Sequence, residues 1–192
     1  MITQQEFEEK VDKFYELEDA RAQIGEMASN LIIEGKDIEA YLLILATWNF
    51  AYFRYILLNF NIDKFQVTIK EINPIFNELK DKDFKTADFD KINNKVSFIY
   101  SKLNELVKQT GATKIMHFKN PSLFVMWDIN IRKVWKIPQT KTSSKDYIDF
   151  LKLMQREFSH ISWDNKKVSF ARAIDMYNYA ITQEKIRSKR DR

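Results

Sequence analysis

The residues of this chain that could do chemistry crowd into one stretch, Val107 to Trp135, which reads VKQTGATKIMHFKNPSLFVMWDINIRKVW. It holds one of three glycines, one of three prolines, one of two histidines and two of four tryptophans. A glycine turn between two helices, here at Gly111, can bring bare backbone amides against a phosphate, because no side chain blocks the approach. Thr110 and Thr113 would add hydroxyl donors there, and Lys108 a positive charge. Lys114, one turn beyond such a site, would lie close to the attached sugar. Asp128 stands just before a helical segment, where free amides and the helix dipole hold a carboxylate ionised. His117 follows Lys114 by three positions and shares its helix face. Each of these residues also has a plainer role. Lys114 can be a surface lysine, Asp128 a structural cap worth on the order of 1 kcal/mol, and His117 a hydrogen-bonded packing residue.

The elements that must position this stretch read as helices. Three glycines and three prolines in 192 residues are too few for the turns of a sandwich or barrel, so the chain is expected to be all-α. Thr3 and Glu6 have capping-box spacing, and Phe7, Val11, Phe14, Leu17, Ile24, Met27 and Leu31 recur at helical intervals. A first helix is therefore expected to run to about Ile33 and to end at Glu34-Gly35-Lys36. A second, from Asp37 to Phe60, is apolar on nearly every face and reads as a central buried helix. Its aromatic cluster (Trp48, Phe50, Tyr52, Phe53, Tyr55) is either core packing or a wall for stacking bases.

Residues 61–80 read as a shorter helix bent or broken at Pro74, and 89–109 as a helix stopped at Thr110-Gly111 by a left-handed cap. Then come a short helix over 113–119, another starting at Asn120-Pro121, and one over 129–135 capped by Asp128. Helices over 144–158 and 165–185 complete the set, Ser162 capping the last, and 186–192 is expected to be a basic, disordered tail. That makes about seven to nine helices in a compact domain over 1–185, built either as one body or as two helical lobes with a cleft between.

Composition narrows the chemistry. There is no cysteine, and His117 and His160 lie 43 positions apart, so neither thiol catalysis nor a zinc centre is expected, and no cofactor or metal is called for. No apolar run reads as a membrane span or a secretory signal, so the expected compartment is the cytoplasm, and the expected state is a monomer. Net charge is only +4, but it is unevenly spread. Residues 1–40 carry eleven acids against four bases, and residues 101–145 nine bases, Arg132 among them, against two acids. An electropositive side of that kind suits a polyanion, with a simply solvated surface as the alternative.

The block Thr113-Lys114, His117-Phe118, Pro121, Phe124 and Trp127-Asp128 resembles the helix-hairpin-helix DNA glycosylase/lyase superfamily, in particular the archaeal 8-oxoguanine glycosylases and their smaller relatives. The run Arg172-Ala173-Ile174-Asp175-Met176-Tyr177 resembles the last-helix segment of that family, and the likeness covers roughly residues 90–180. The resemblance implies double-stranded DNA with a damaged base or abasic site as partner, and excision of an oxidised purine through a lysine Schiff base. Lys114 would be the nucleophile and Asp128 the carboxylate that stabilises the cationic sugar. A partly buried lysine suits that role, since burial disfavours its charged form. The flipped base would enter a pocket built from Trp48, Phe53, His117 and Trp127, while Lys108, Thr110, Gly111, Thr113 and Arg132 would hold the DNA. A non-catalytic DNA-binding relative and a helical protein-interaction domain are the alternatives.

Overall fold

A computed structural model describes residues 2–16, 20–165 and 167–190. Among these residues the chain is all-α, with nine α-helices, one short 3-10 turn and no strand. The helices are α1 (Gln4–Glu16), α2 (Ala20–Ile33), α3 (Asp37–Trp48), α4 (Phe50–Ile56), α5 (Ile62–Leu79), α6 (Asn93–Lys119), α7 (Ile129–Val134), α8 (Ser144–Glu157) and α9 (Phe170–Arg190). The central element is α6, which packs against α2, α3, α5 and α8, while α1 and α7 lie on α9.

The first expected helix is two, α1 and α2, and Leu17 of its apolar stripe lies outside the described residues. Thr3 caps α1 by accepting the Glu6 amide at 3.1 Å. Phe7, fully buried, stacks on Tyr177 of α9 at 5.7 Å and meets Phe158 edge-on at 5.5 Å, a burial worth about 1.5–3 kcal/mol for the one ring. At the end of α2, Gly35 adopts φ 76°, which a side chain would resist. The Gly35 amide donates to Ile32 and the Lys36 amide to Leu31, at 3.0 and 2.8 Å, so the last turn closes as a Schellman cap.

The single buried helix expected over 37–60 is instead broken. α3 and α4 meet at Asn49 with a bend of 115°. Asn49 is buried, and its amide side chain donates to the carbonyl of Val107 in α6 at 3.4 Å rather than facing a solvated groove. The break lets apolar residues on two faces serve two surroundings. α3 is largely buried, whereas Phe50, Tyr55, Leu57 and Leu58 on the arm that follows are exposed. Among the described residues no single helix is long and apolar enough to cross a membrane.

α5 continues through Pro74 to Leu79. In α6 the expected stop at Gly111 is absent, and the interruption falls three residues earlier, at Lys108, with φ 59° and ψ 173°. Gly111 is helical and buried. Its lack of a side chain serves close packing, since a Cβ would come within 2.9 Å of Leu45 and 3.0 Å of the Asn49 side chain. Asn120 does not start a helix either. Its amide is still the last of α6, donating to the Met116 carbonyl at 2.9 Å, and its side chain donates to Phe76. A turn and an extended segment then lead to Asp128. The last helix starts five residues later than expected, because Ser169 rather than Ser162 accepts the capping amide, from Arg172 at 3.2 Å. It also runs on to Arg190, so most of the expected disordered tail is helical, and Asp191 and Arg192 lie outside the described residues.

Candidate active site

One cavity of about 250 Å³ opens where α2, α3, α6 and α9 converge on the extended segment before α7. Its walls carry Trp48 from α3, Lys114 and Phe118 from α6, and Trp127 and Asp128 from the extended segment. Arg21 of α2 and Arg172, Asp175 and Tyr179 of α9 also line it. The register of α6 relative to α3 is held by an ion pair at the far ends of the two helices. Lys119 reaches both carboxylate oxygens of Asp37 at 2.8 and 3.0 Å, and Asn73 donates to the same group. Each charge sits where its own helix dipole favours it, Asp37 at an N-terminus and Lys119 at a C-terminus.

Lys114 stands on the second half of α6, half-buried in the cavity wall. Burial lowers its pKa to about 8, with a smaller contribution in the same direction from the Arg21 guanidinium, and the Asp128 carboxylate opposes both. A substantial part of the amine is therefore neutral near physiological pH. Its Nζ donates to the carbonyl of Trp48. That carbonyl is available because α3 ends there. The Tyr52 amide, which would take it in a continuous helix, donates to Asn49 instead at 3.1 Å.

Asp128 caps α7. Its Oδ1 accepts the amides of Asn130 and Ile131 at 2.7 and 2.8 Å, so Oδ2 is not committed to the cap. Such a carboxylate can balance positive charge developing in the cavity without moving.

His117 lies one turn along from Lys114 but is sealed away from the cavity. Its Nδ1 donates to the Phe124 carbonyl at 2.6 Å, and burial lowers its pKa to about 3. Asp175 Oδ2 lies 3.0 Å from the same Nδ1, a distance that would suit an ion pair. Burial drives the Asp175 carboxyl well up while driving the imidazole down, so the contact joins two groups that both favour their neutral forms. Asp175 Oδ1 accepts the Met126 amide at 2.6 Å and fixes the extended segment against α9.

The cavity thus unites Lys114, Asp128, Trp48 and Trp127, but not the other two expected pocket residues. Phe53 is packed in the core against Phe60, and His117 is turned inward. Most of the expected phosphate contacts are also internal. Gly111 and Thr113 are buried, and the Thr113 hydroxyl donates to Trp127 at 3.1 Å. Arg132 is 1% exposed and donates to the carbonyls of Gln139 and Lys141, with its guanidinium 5.2 Å from the Trp127 ring. Its Nη1 thereby holds the loop after α7, and its burial keeps the guanidinium off the surface. Lys108 is exposed and Thr110 half-buried, and neither lines the cavity.

Of the wall residues that the spacing around Lys114 and Asp128 does not single out, Phe118 was within reach, standing four positions after Lys114 on the same face. Arg172, Asp175 and Tyr179 recur at helical intervals on α9, but that pattern alone does not tell a cavity wall from a packing face. Arg21 comes from α2, more than ninety positions before Lys114, and only the packing of α2 on α3 and α6 brings it here. No protein-family model, curated protein or solved structure matches the chain.

Proposed function

We propose that this protein is a DNA N-glycosylase with AP lyase activity, acting on an oxidised purine through Lys114. The observation that carries the reading is one lysine, its amine partly neutral near pH 8, placed with a carboxylate in a cavity walled by aromatic rings. A flipped base stacks on such rings at modest cost when it is already damaged or unpaired. The Lys114 amine would attack C1′ as the bond to the base breaks with its electron pair, which a proton then captures on the base. Asp128 would stabilise the positive charge on the sugar during that step. The product is an imine between Lys114 and the opened sugar, from which β-elimination cuts the strand.

The decisive experiment is borohydride trapping. The protein is incubated with duplex carrying 8-oxoguanine or an abasic site, reduced, and run on a denaturing gel. A covalent adduct that disappears in Lys114→Gln supports the reading, and absence of any adduct with the wild-type protein refutes it.

A second reading, DNA binding without catalysis, draws on the bond from Lys114 to the Trp48 carbonyl, which a purely structural lysine would also make. It predicts no adduct, but binding that weakens steeply with salt.

A further inference from the structure

Two interruptions in otherwise regular helices meet behind the cavity wall, where α3 and α6, the helix that carries Lys114, pack together. One is Asn49, between α3 and α4, with φ −119° and ψ 22°. The other is the kink of α6 at Lys108. They are joined directly, since the Asn49 side chain donates to the carbonyl of Val107, the residue before the kink. Gly111, one turn on, lets the two helices approach closely enough for that bond.

The consequence for the lysine follows from donor and acceptor inventories. A neutral amine has two N–H donors and one lone pair, and the lone pair is the nucleophile. A hydroxyl or water beside it could donate to that lone pair and quench it. A main-chain carbonyl only accepts, so it can hold an N–H and cannot occupy the lone pair. We infer that the helix break at Asn49 is a positioning device for Lys114. It converts the Trp48 carbonyl from a helix acceptor into the acceptor for the lysine amine, fixing one N–H and leaving the lone pair to the cavity. Asn49 itself touches no substrate and acts through the backbone it bends.

The inference rests on Lys114 being a nucleophile toward a carbonyl carbon, but not on DNA being the source of that carbon. With any small aldehyde in the cavity, the lone pair forms the C–N bond as the carbonyl π pair moves onto oxygen. One N–H proton passes to that oxygen, a proton from solvent completes the departing water, and the nitrogen pair closes the iminium. The second N–H stays on the Trp48 carbonyl throughout.

The test labels the full chain with glycolaldehyde and cyanoborohydride, whose hydride reduces the iminium carbon to a stable secondary amine. Peptide mass spectrometry then reads the rate at Lys114 against the exposed Lys70 and Lys133, across pH. Two variants are compared, Asn49→Ala and Asn49→Gly. Both remove the side-chain bond to Val107, but alanine favours a continuous helix and glycine favours the break. Positioning through the break predicts that glycine keeps the limiting high-pH rate at Lys114 within about twofold, while alanine lowers it about fivefold or more. Lys70 and Lys133 should be unchanged in both.

Equal rates at Lys114 in the two variants, whether both high or both low, would overturn the inference, since the backbone would then not be what matters. Should Asn49→Ala fail to fold by circular dichroism, Asn49→Gln takes its place, as a helix former that keeps an amide. An Ala–Gly contrast without any adduct to abasic duplex would leave the positioning intact and remove DNA as the substrate.

Discussion

Lys114 and His117 are neighbours on one turn of α6, each a nitrogen base set close to a carboxyl group, and burial leaves them in opposite conditions. Lys114 faces a cavity and titrates near 8, whereas His117 is sealed and pushed to about 3. Desolvation acts on both with the same sign. The outcome differs because the two groups start from different ordinary values. A lysine brought down lands where protonated and neutral forms coexist, which a nucleophile or proton carrier needs. A histidine brought down the same way leaves the physiological range and becomes a fixed hydrogen-bond donor. By type alone the histidine is the obvious candidate base on this helix, yet its surroundings make it structural.

The contrast can be broken most sharply by exchanging its members. Lys114→Gln should reduce the borohydride-trapped adduct by about a thousandfold or more, because the attacking group itself is gone. His117→Asn should leave trapping within a few-fold and instead lower stability by about 1–3 kcal/mol, as the buried Phe124 carbonyl loses its imidazole donor. Gel trapping and chemical denaturation measure the two.

Asp128→Asn comes next. The trapping rate should fall on the order of a hundredfold as the balancing charge is removed. Stability should change by less than about 1 kcal/mol, because the amide oxygen can still accept from Asn130 and Ile131.

The pH dependence separates the two bases again. Trapping should fall about tenfold per pH unit below about 8 and level off above it, since only the neutral amine reacts. Stability should respond with the opposite emphasis. Between about pH 8 and the ordinary lysine value of 10.5, the unfolded chain holds the Lys114 proton more tightly than the folded one, so stability rises with pH there. Lys114→Met should flatten that limb. On the acid side, the unfolded chain takes up a proton on His117 below 6.5 while the folded protein resists until about 3, so stability declines as pH falls through that window. His117→Asn should flatten this second limb and leave the first untouched.

The smallest effect concerns the kink. Lys108 holds φ 59° and ψ 173°, a region that costs a side chain on the order of 1–3 kcal/mol. Lys108→Gly should raise stability by about 1 kcal/mol, read as an upward shift in melting temperature, without changing the pH profile of trapping.

Much of this was legible in the sequence, and the gaps have physical causes. The scarcity of glycine and proline announced an all-helical chain, and the apolar intervals located most of the helices. Asp128 could be read as a cap because a cap is a local device, complete within three residues. The bend at Asn49 and the kink after Val107 could not be read, because the bond that joins them spans 58 positions of sequence. An asparagine inside an apolar run does not say that its amide will find a carbonyl on another helix. Gly111 misled for a related reason. Glycine is favoured both where φ must be positive and where two helices must touch, and only the position of α3 tells which applies. Thr113 and Arg132 were plausible phosphate contacts by type, but both are buried and bonded to Trp127, Gln139 and Lys141, partners that become neighbours only on folding.

The four tryptophans are divided by the same architecture. Trp48 and Trp127 line the cavity, while Trp135 and Trp163 lie outside it, their indoles donating to Asn178 and to the Val168 carbonyl at 2.8 Å each. Replacing the second pair with phenylalanine would leave a protein whose tryptophan emission arises only from the cavity that holds Lys114. Anything entering the cavity would then change the intensity or wavelength of that emission, turning the chain into its own optical sensor for small molecules, bases and short oligonucleotides.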